Sequence, residues 1–159
     1  MDPLLKTIDP APAFAPQVAQ ARPDRLIAGT PEFRTWAQDT ARENVRTGVW
    51  QATPGETRSI KGETRLIKGE TLEVCHILSG VVENTPEGGT PVHYGAGDCF
   101  VLKPGFVGVW KTIETVRKIY VIVGEAFALP TAGTTADSAA PRPDTEHAAA
   151  RGPLACPRL

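Results

Sequence analysis

A chain of 159 residues, 41% hydrophobic and 22% charged, is sized for one domain with a core of its own and does not depend on disulfides. Its 17 Lys+Arg against 18 Asp+Glu leave a net charge of −1, so no whole-molecule field draws it to phosphate backbones or anionic lipid; neither nucleic acid nor a membrane is an expected partner. No run of 18 apolar residues exists, and the start, MDPLLKTIDPAPAFAPQ, lacks an uninterrupted apolar stretch behind a basic one, so a soluble cytoplasmic protein is expected.

The 15 Gly and 15 Pro are segregated: 13 of the Gly lie between Arg25 and Gly124, and 10 of the Pro lie before Arg25 or after Leu129. Residues 1–24 are Pro/Ala-rich and read as an N-terminal arm, with Leu4, Leu5, Phe14 and Val18 available to lay part of it along the body. Residues 25–129 hold nine of the ten aromatics and read as the domain. Phe33 and Trp36, on an extended segment ahead of the first clear strand, are expected to cover a sheet edge of this or a second subunit. A short helical turn is allowed at most over Thr40 to Val45. The strand pattern then runs over Val45–Ala52, Thr71–Leu78, Val81–Asn84, Pro91–Tyr94, Cys99–Lys103, Phe106–Thr112 and Val116–Val123. Turn signals separate these runs at Thr53-Pro54-Gly55, Pro86 to Gly89, Gly95 to Asp98 and Lys103-Pro104-Gly105. Strands at 8- to 12-residue intervals indicate a sandwich or barrel, with β-branched Val116–Val123 as a central strand and Thr115, Arg117 and Lys118 at a wet rim. Residues 130–159 contain no Ile, Val, Met or aromatic residue and are expected to be a disordered tail.

One internal repeat stands out: GETRSIK (Gly55 to Lys61), GETRLIK (Gly62 to Lys68) and GETLEVC (Gly69 to Cys75). It is too short for a solenoid. Its odd period would turn downstream side chains to the opposite face of a continuous strand, so the extra copy suits a hairpin or loop.

The chemistry-bearing residues are sparse. Cys75, Cys99 and Cys156 form no CxxC pair, and Cys75 and Cys99 read as small buried hydrophobes. Ser59, Ser79 and Ser138 have no His/Asp arrangement, and Gly95-Ala-Gly97 lacks the following helix that a phosphate loop requires.

Glu73-Val-Cys-His-Ile-Leu-Ser-Gly80, followed by Gly97-Asp98 and Pro104-Gly105-Phe106, resembles the two motifs of the cupin superfamily. Ala28 to Trp36, Gly48-Val-Trp50, Thr53-Pro-Gly55 and Gly105 to Trp110 narrow the resemblance to the branch that includes the (S)-ureidoglycine aminohydrolase and ethanolamine-utilisation cupin domains. It covers Leu26 to Val123 and implies an all-β, double-stranded β-helix (jelly-roll) barrel with its pocket between two sheets. Independently of the family, Asp98 offers a side-chain oxygen to the backbone of its turn, and Gly80 lets a strand bend at a barrel corner. Cupin enzymes hold a divalent metal with two His and one Glu of the first motif and one His of the second. Here the resemblance puts only Glu73 at a ligand position: Thr64 to Leu72 contains no His, and Gly108 stands where the second-motif His would be. These residues call for no particular cofactor, and a divalent metal enters only with the metal-dependent alternative below.

The candidate ligand-binding residues are Glu73, Cys75, Lys103 and Trp110. Cys75 shares a strand face with Glu73, whereas His76, at an odd offset, does not and reads as a partly buried packing residue. His93 is expected to face solvent and His147 to lie in the tail. Trp50 and Trp110 read as core or interface aromatics. Glu73 is expected to pair with Lys103 or Arg117, or to be protonated. The leading functional reading is a homodimeric binder of a small polar metabolite. The alternatives are a metal-dependent enzyme acting on a small nitrogen-containing or carbonyl metabolite, with Glu73 as one ligand, and a protein-interaction module.

Overall fold

The β-branched run at the end of the domain becomes its axis. The computed structural model describes residues 3–41, 44–60 and 71–124, and these form nine strands: β1 (Gln17–Gln20), β2 (Leu26–Gly29), β3 (Glu32–Ala41), β4 (Val45–Ala52), β5 (Gly55–Ile60), β6 (Leu72–Pro86), β7 (Val92–Tyr94), β8 (Cys99–Leu102) and β9 (Val107–Val123). All pairings are antiparallel, in the order β1-β3-β4-β9-β5-β2, with β6 also on β9 and carrying β7 and β8. β6 runs beside β9 from Leu72↔Val123 to Pro86↔Gly108, while the other edge of β9 is shared, β4 taking Val116–Val123 and β5 taking Val107–Thr112. One long bent pair thus closes the sheet on itself as the jelly-roll barrel, and the architecture is all-β as expected.

The bend is local and visible. Register shifts lie between Ile77 and Ser79, Ser79 and Val81, and Val81 and Val82. Gly80 sits among them with φ +81°, and a Cβ there would fall 2.1 Å from the Thr115 carbonyl oxygen. Bulges bend a strand without ending it, so Thr71–Leu78 and Val81–Asn84 are halves of β6, and Phe106–Thr112 and Val116–Val123 are halves of β9. The 95–98 turn closes as its residues require: Gly95 N–H donates to Asp98 Oδ2 at 2.8 Å, and Asp98 N–H to the Gly95 carbonyl at 3.0 Å.

Inside, Ala52, Ile77, Val82, Leu102, Trp110 and Val116 form the buried cluster, with Phe33, Trp50, Tyr94, Phe100 and Phe106 packed against it. The helical turn allowed over Thr40 to Val45 is absent among the described residues, since Thr40 and Ala41 end β3 and Val45 opens β4. Strands β1, β2, β3 and β5 lie outside the strand runs the sequence marks: β1 and β2 are four exposed residues each with no buried face, while β3 and β5 are rich in polar residues and contribute Phe33, Thr35, Ala37, Thr57 and Ser59 to a cavity wall instead of a continuous core.

The arm corrects two expectations. Phe33 and Trp36 do not cover an edge of this chain: β3 lies between β1 and β4, and Trp36 is buried, its indole N–H donating to the Phe14 carbonyl at 3.0 Å. The arm is held by polar contacts rather than by its apolar side chains. Asp9 N–H donates to Gln38 Oε1 and Gln38 Nε2 to the Asp9 carbonyl, both at 2.7 Å, and Arg117 Nε donates to the Pro10 carbonyl at 3.0 Å. Leu4, Leu5, Phe14 and Val18 stay exposed. The first repeat copy supplies β5 and the third enters β6 at Leu72; the second copy, the 130–159 tail, Cys156 and His147 lie outside the described residues. No helix among the described residues is long and apolar enough to cross a membrane.

Candidate functional site

The period of two along β6 places Glu73, Cys75 and Ile77 on one buried face and His76 on the other, where it is exposed rather than packed. The same period along β9 turns Val116, Lys118 and Tyr120 inward. Lys118 therefore lies in the barrel, 4% exposed, and not at a wet rim. Its Nζ donates to Glu73 Oε1 at 2.7 Å and to Cys75 Sγ at 3.4 Å. It also stands 4.3 Å from the Trp110 ring centroid and 4.6 Å from that of Trp50. A carboxylate, a sulfur and two indole faces thus surround one ammonium, each favouring its charged form. Burial pulls the Lys118 pKa down, but the charges of Glu73 and Cys75 and their hydrogen bonds outweigh it and hold the group above its ordinary 10.5. Lys118 is a fixed cation at neutral pH and not an amine nucleophile.

This pair opens onto a cavity of about 530 Å³. Phe33, Trp50, Trp110 and Tyr120 supply its aromatic walls, with Phe33 stacked on Trp50 at 5.3 Å and Trp50 edge-on to Trp110 at 5.5 Å. Trp50 and Trp110 are therefore cavity walls as well as packing residues. Burial pushes the Tyr120 phenol up, with Arg46 pulling the other way, so Tyr120 is a neutral hydroxyl. Arg46 and Arg58 also line the cavity; Arg58 reaches Glu87 at 3.3 Å, while Arg46 has no ion pair among the described residues.

Of the expected contacts, Glu73, Cys75 and Trp110 meet around Lys118. Lys103 does not join them: it is exposed on the turn after β8 and lines a different hollow with Asn84 and Phe106. Arg117, one residue from Lys118, faces outward, its guanidinium 4.5 Å from the Trp36 centroid. Among the described residues Glu73 thus pairs with Lys118, and not with Lys103 or Arg117. Cys99 is exposed and not a core residue, because β8 turns Phe100 and Leu102 inward. His93 faces solvent and stands 2.9 Å from Glu83. The signal for Lys118 was present in the alternation Val116, Lys118, Tyr120, Ile122; a charge in such a row is read as a strand end unless its partner is known.

The family metal does not fit these residues. Lys118 already places a cation against Glu73, the one motif ligand. At Gly108 a Cβ would fall 2.4 Å from the Thr85 carbonyl oxygen and 3.1 Å from Pro86 Cα, so β6 has closed over the position of the second-motif His. Among the described residues no three of His, Cys, Asp and Glu gather, and three protein donors are the usual minimum for such a centre.

Comparison with known proteins bears on the family. No curated protein matches this sequence. A solved protein of unknown function from Pseudomonas syringae pv. tomato str. DC3000, of the DUF861 family, aligns over 73% of this chain and 46% of its own, with 22% identity and a TM-score of 0.58. The chain thus spans about half the length of that protein. The Clostridium difficile EutQ protein aligns over 58% of this chain and 63% of its own at 14% identity (TM-score 0.49). A DUF861 family protein from Thermotoga maritima aligns over 45% of this chain and 73% of its own at 32% identity (TM-score 0.39). The profile of the EutQ-like cupin domain matches residues 40–120, about half the chain and both members of the Lys118–Glu73 pair, and the chain belongs to that family of cupins.

Proposed function

We propose that this cupin domain binds a small polar metabolite in the barrel cavity, specifically an organic acid, without a His-based metal site. The observation that carries the reading is the charge of the wall. Among the described residues that line the cavity the one carboxylate, Glu73, is already neutralised by Lys118 at 2.7 Å, which leaves Arg46 and the Glu87-shared Arg58 as surplus positive charge above an aromatic floor. A volume of about 530 Å³ suits a compact ligand, and a few convergent polar groups on apolar walls are what such sites offer. Arg46 would take the carboxylate, the Tyr120 hydroxyl would donate to a second oxygen, and Trp50 and Trp110 would cover the ligand's body.

The test is a thermal-shift and calorimetry panel of small carboxylic acids, each set beside its primary amide. At least one acid is expected to stabilise the domain, its amide to bind at least about tenfold more weakly, and Arg46→Met to remove the preference. Absence of any acid hit, or hits indifferent to Arg46→Met and Trp50→Leu, would sink the reading. Saturable stabilisation by manganese or zinc that disappears in Glu73→Gln would favour the metal-dependent alternative instead.

A further inference from the structure

We propose that the hollow bounded by the end of β6, strands β7 and β8 and the Lys103–Phe106 turn is a second small-molecule site, which takes a planar ligand carrying a hydrogen-bond donor and an acceptor on one edge, as a lactam or primary carboxamide does. The proposal is independent of the organic-acid reading, since this hollow, about 370 Å³, shares no lining residue with the barrel cavity.

Asn84 carries the inference. It lies on the inward face of β6 at 4% exposure, lines the hollow, and among the described residues neither its Oδ1 nor its Nδ2 has a hydrogen-bond partner. A buried side-chain amide left unpaired on both atoms is rare, because each atom forfeits its hydration without replacement. The two atoms sit on one edge of a planar group, so the complementary partner offers a donor and an acceptor side by side. The walls select the rest of the ligand. Tyr94 and Phe100 stack with centroids 4.0 Å apart and planes inclined by 22°, and Phe106 adds a further ring, so the space beside the amide favours a flat, partly apolar body. Lys103, which the sequence suggested for the barrel site, lies instead at this rim.

The probes are 2-pyridone, which carries the required edge, and N-methyl-2-pyridone, which keeps the ring and loses the donor. In amide-detected NMR of the 15N-labelled full chain, 2-pyridone is expected to move the Asn84 side-chain NH₂ signals saturably. N-methyl-2-pyridone is expected to bind at least about tenfold more weakly, and Asn84→Leu to abolish the 2-pyridone response elsewhere around the hollow. Asn84 signals unmoved at millimolar 2-pyridone, equal binding of both compounds, or a long-lived water contact that no probe displaces would each overturn the proposal. If Asn84→Leu does not fold, the comparison of the two pyridones on the unsubstituted chain decides.

Discussion

Lys118 is the residue on which the site turns, and its energetics differ from those of a surface ion pair. A buried pair gains little over apolar residues of similar volume, but removing one partner strands the other. Lys118→Met and Glu73→Gln are each expected to cost about 3–5 kcal/mol in urea unfolding, and the double variant Lys118→Met/Glu73→Leu to recover most of that. Additive losses would show that the two groups do not act as a pair. The pH dependence follows from the same contact. Because the folded pKa of Lys118 is raised above 10.5, its contribution is fully present below that value and is lost as pH rises through the folded pKa. The stability difference between the unsubstituted chain and Lys118→Met should therefore be flat from neutral pH to about 10 and shrink above the ordinary lysine range. A difference that already falls between pH 7 and 9 would contradict the assignment.

At the scale of the element, the bent β6–β9 pair sets where the site lies. β6 changes register around Gly80, so Glu73 and Cys75 reach Lys118 from one half of the strand while Val82 and Asn84 face inward from the other. Gly80 and Gly97 separate two effects, since both have positive φ but only Gly80 is crowded, with Thr115 O at 2.1 Å and nothing within 4 Å of a Cβ on Gly97. Gly97→Ala should cost the backbone strain alone, about 1–3 kcal/mol, and Gly80→Ala clearly more. Equal losses in denaturant melts would mean that the bend tolerates a side chain. The same crowding at Gly108 means that Gly108→His would displace β6 and not restore a metal ligand; it is expected to lower the melting temperature with no gain in zinc or manganese response.

Over the whole molecule, the arm and the barrel are joined by directional polar contacts. The arm leaves Leu4 and Leu5 in solvent and seals Trp36 through backbone carbonyls, with Arg117 over the indole and bonded to Pro10. Removing residues 1–16 is expected to leave the barrel folded and to shift tryptophan emission to the red, a shift that Trp36→Phe should abolish. An unchanged spectrum would mean that the arm does not cover this ring.

The sequence by itself determined the strand class, the corners and the family. Alternation, β-branched runs and turn chemistry such as Gly95-Ala-Gly97-Asp98 act over a few residues and are legible in one dimension. It also placed Glu73 and Cys75 on one face and showed that the motif histidines are missing. Only the tertiary structure decided what meets Glu73. Lys118 is 45 residues away along the chain, and its neighbours Arg117 and Thr115 are as polar as it is. Which of them points inward depends on the register of β9 against β4, β5 and β6, and register is a property of paired strands rather than of any one of them. For the same reason Lys103 could be named as a pocket residue from the sequence, yet it stands at the rim of a separate hollow beside Asn84.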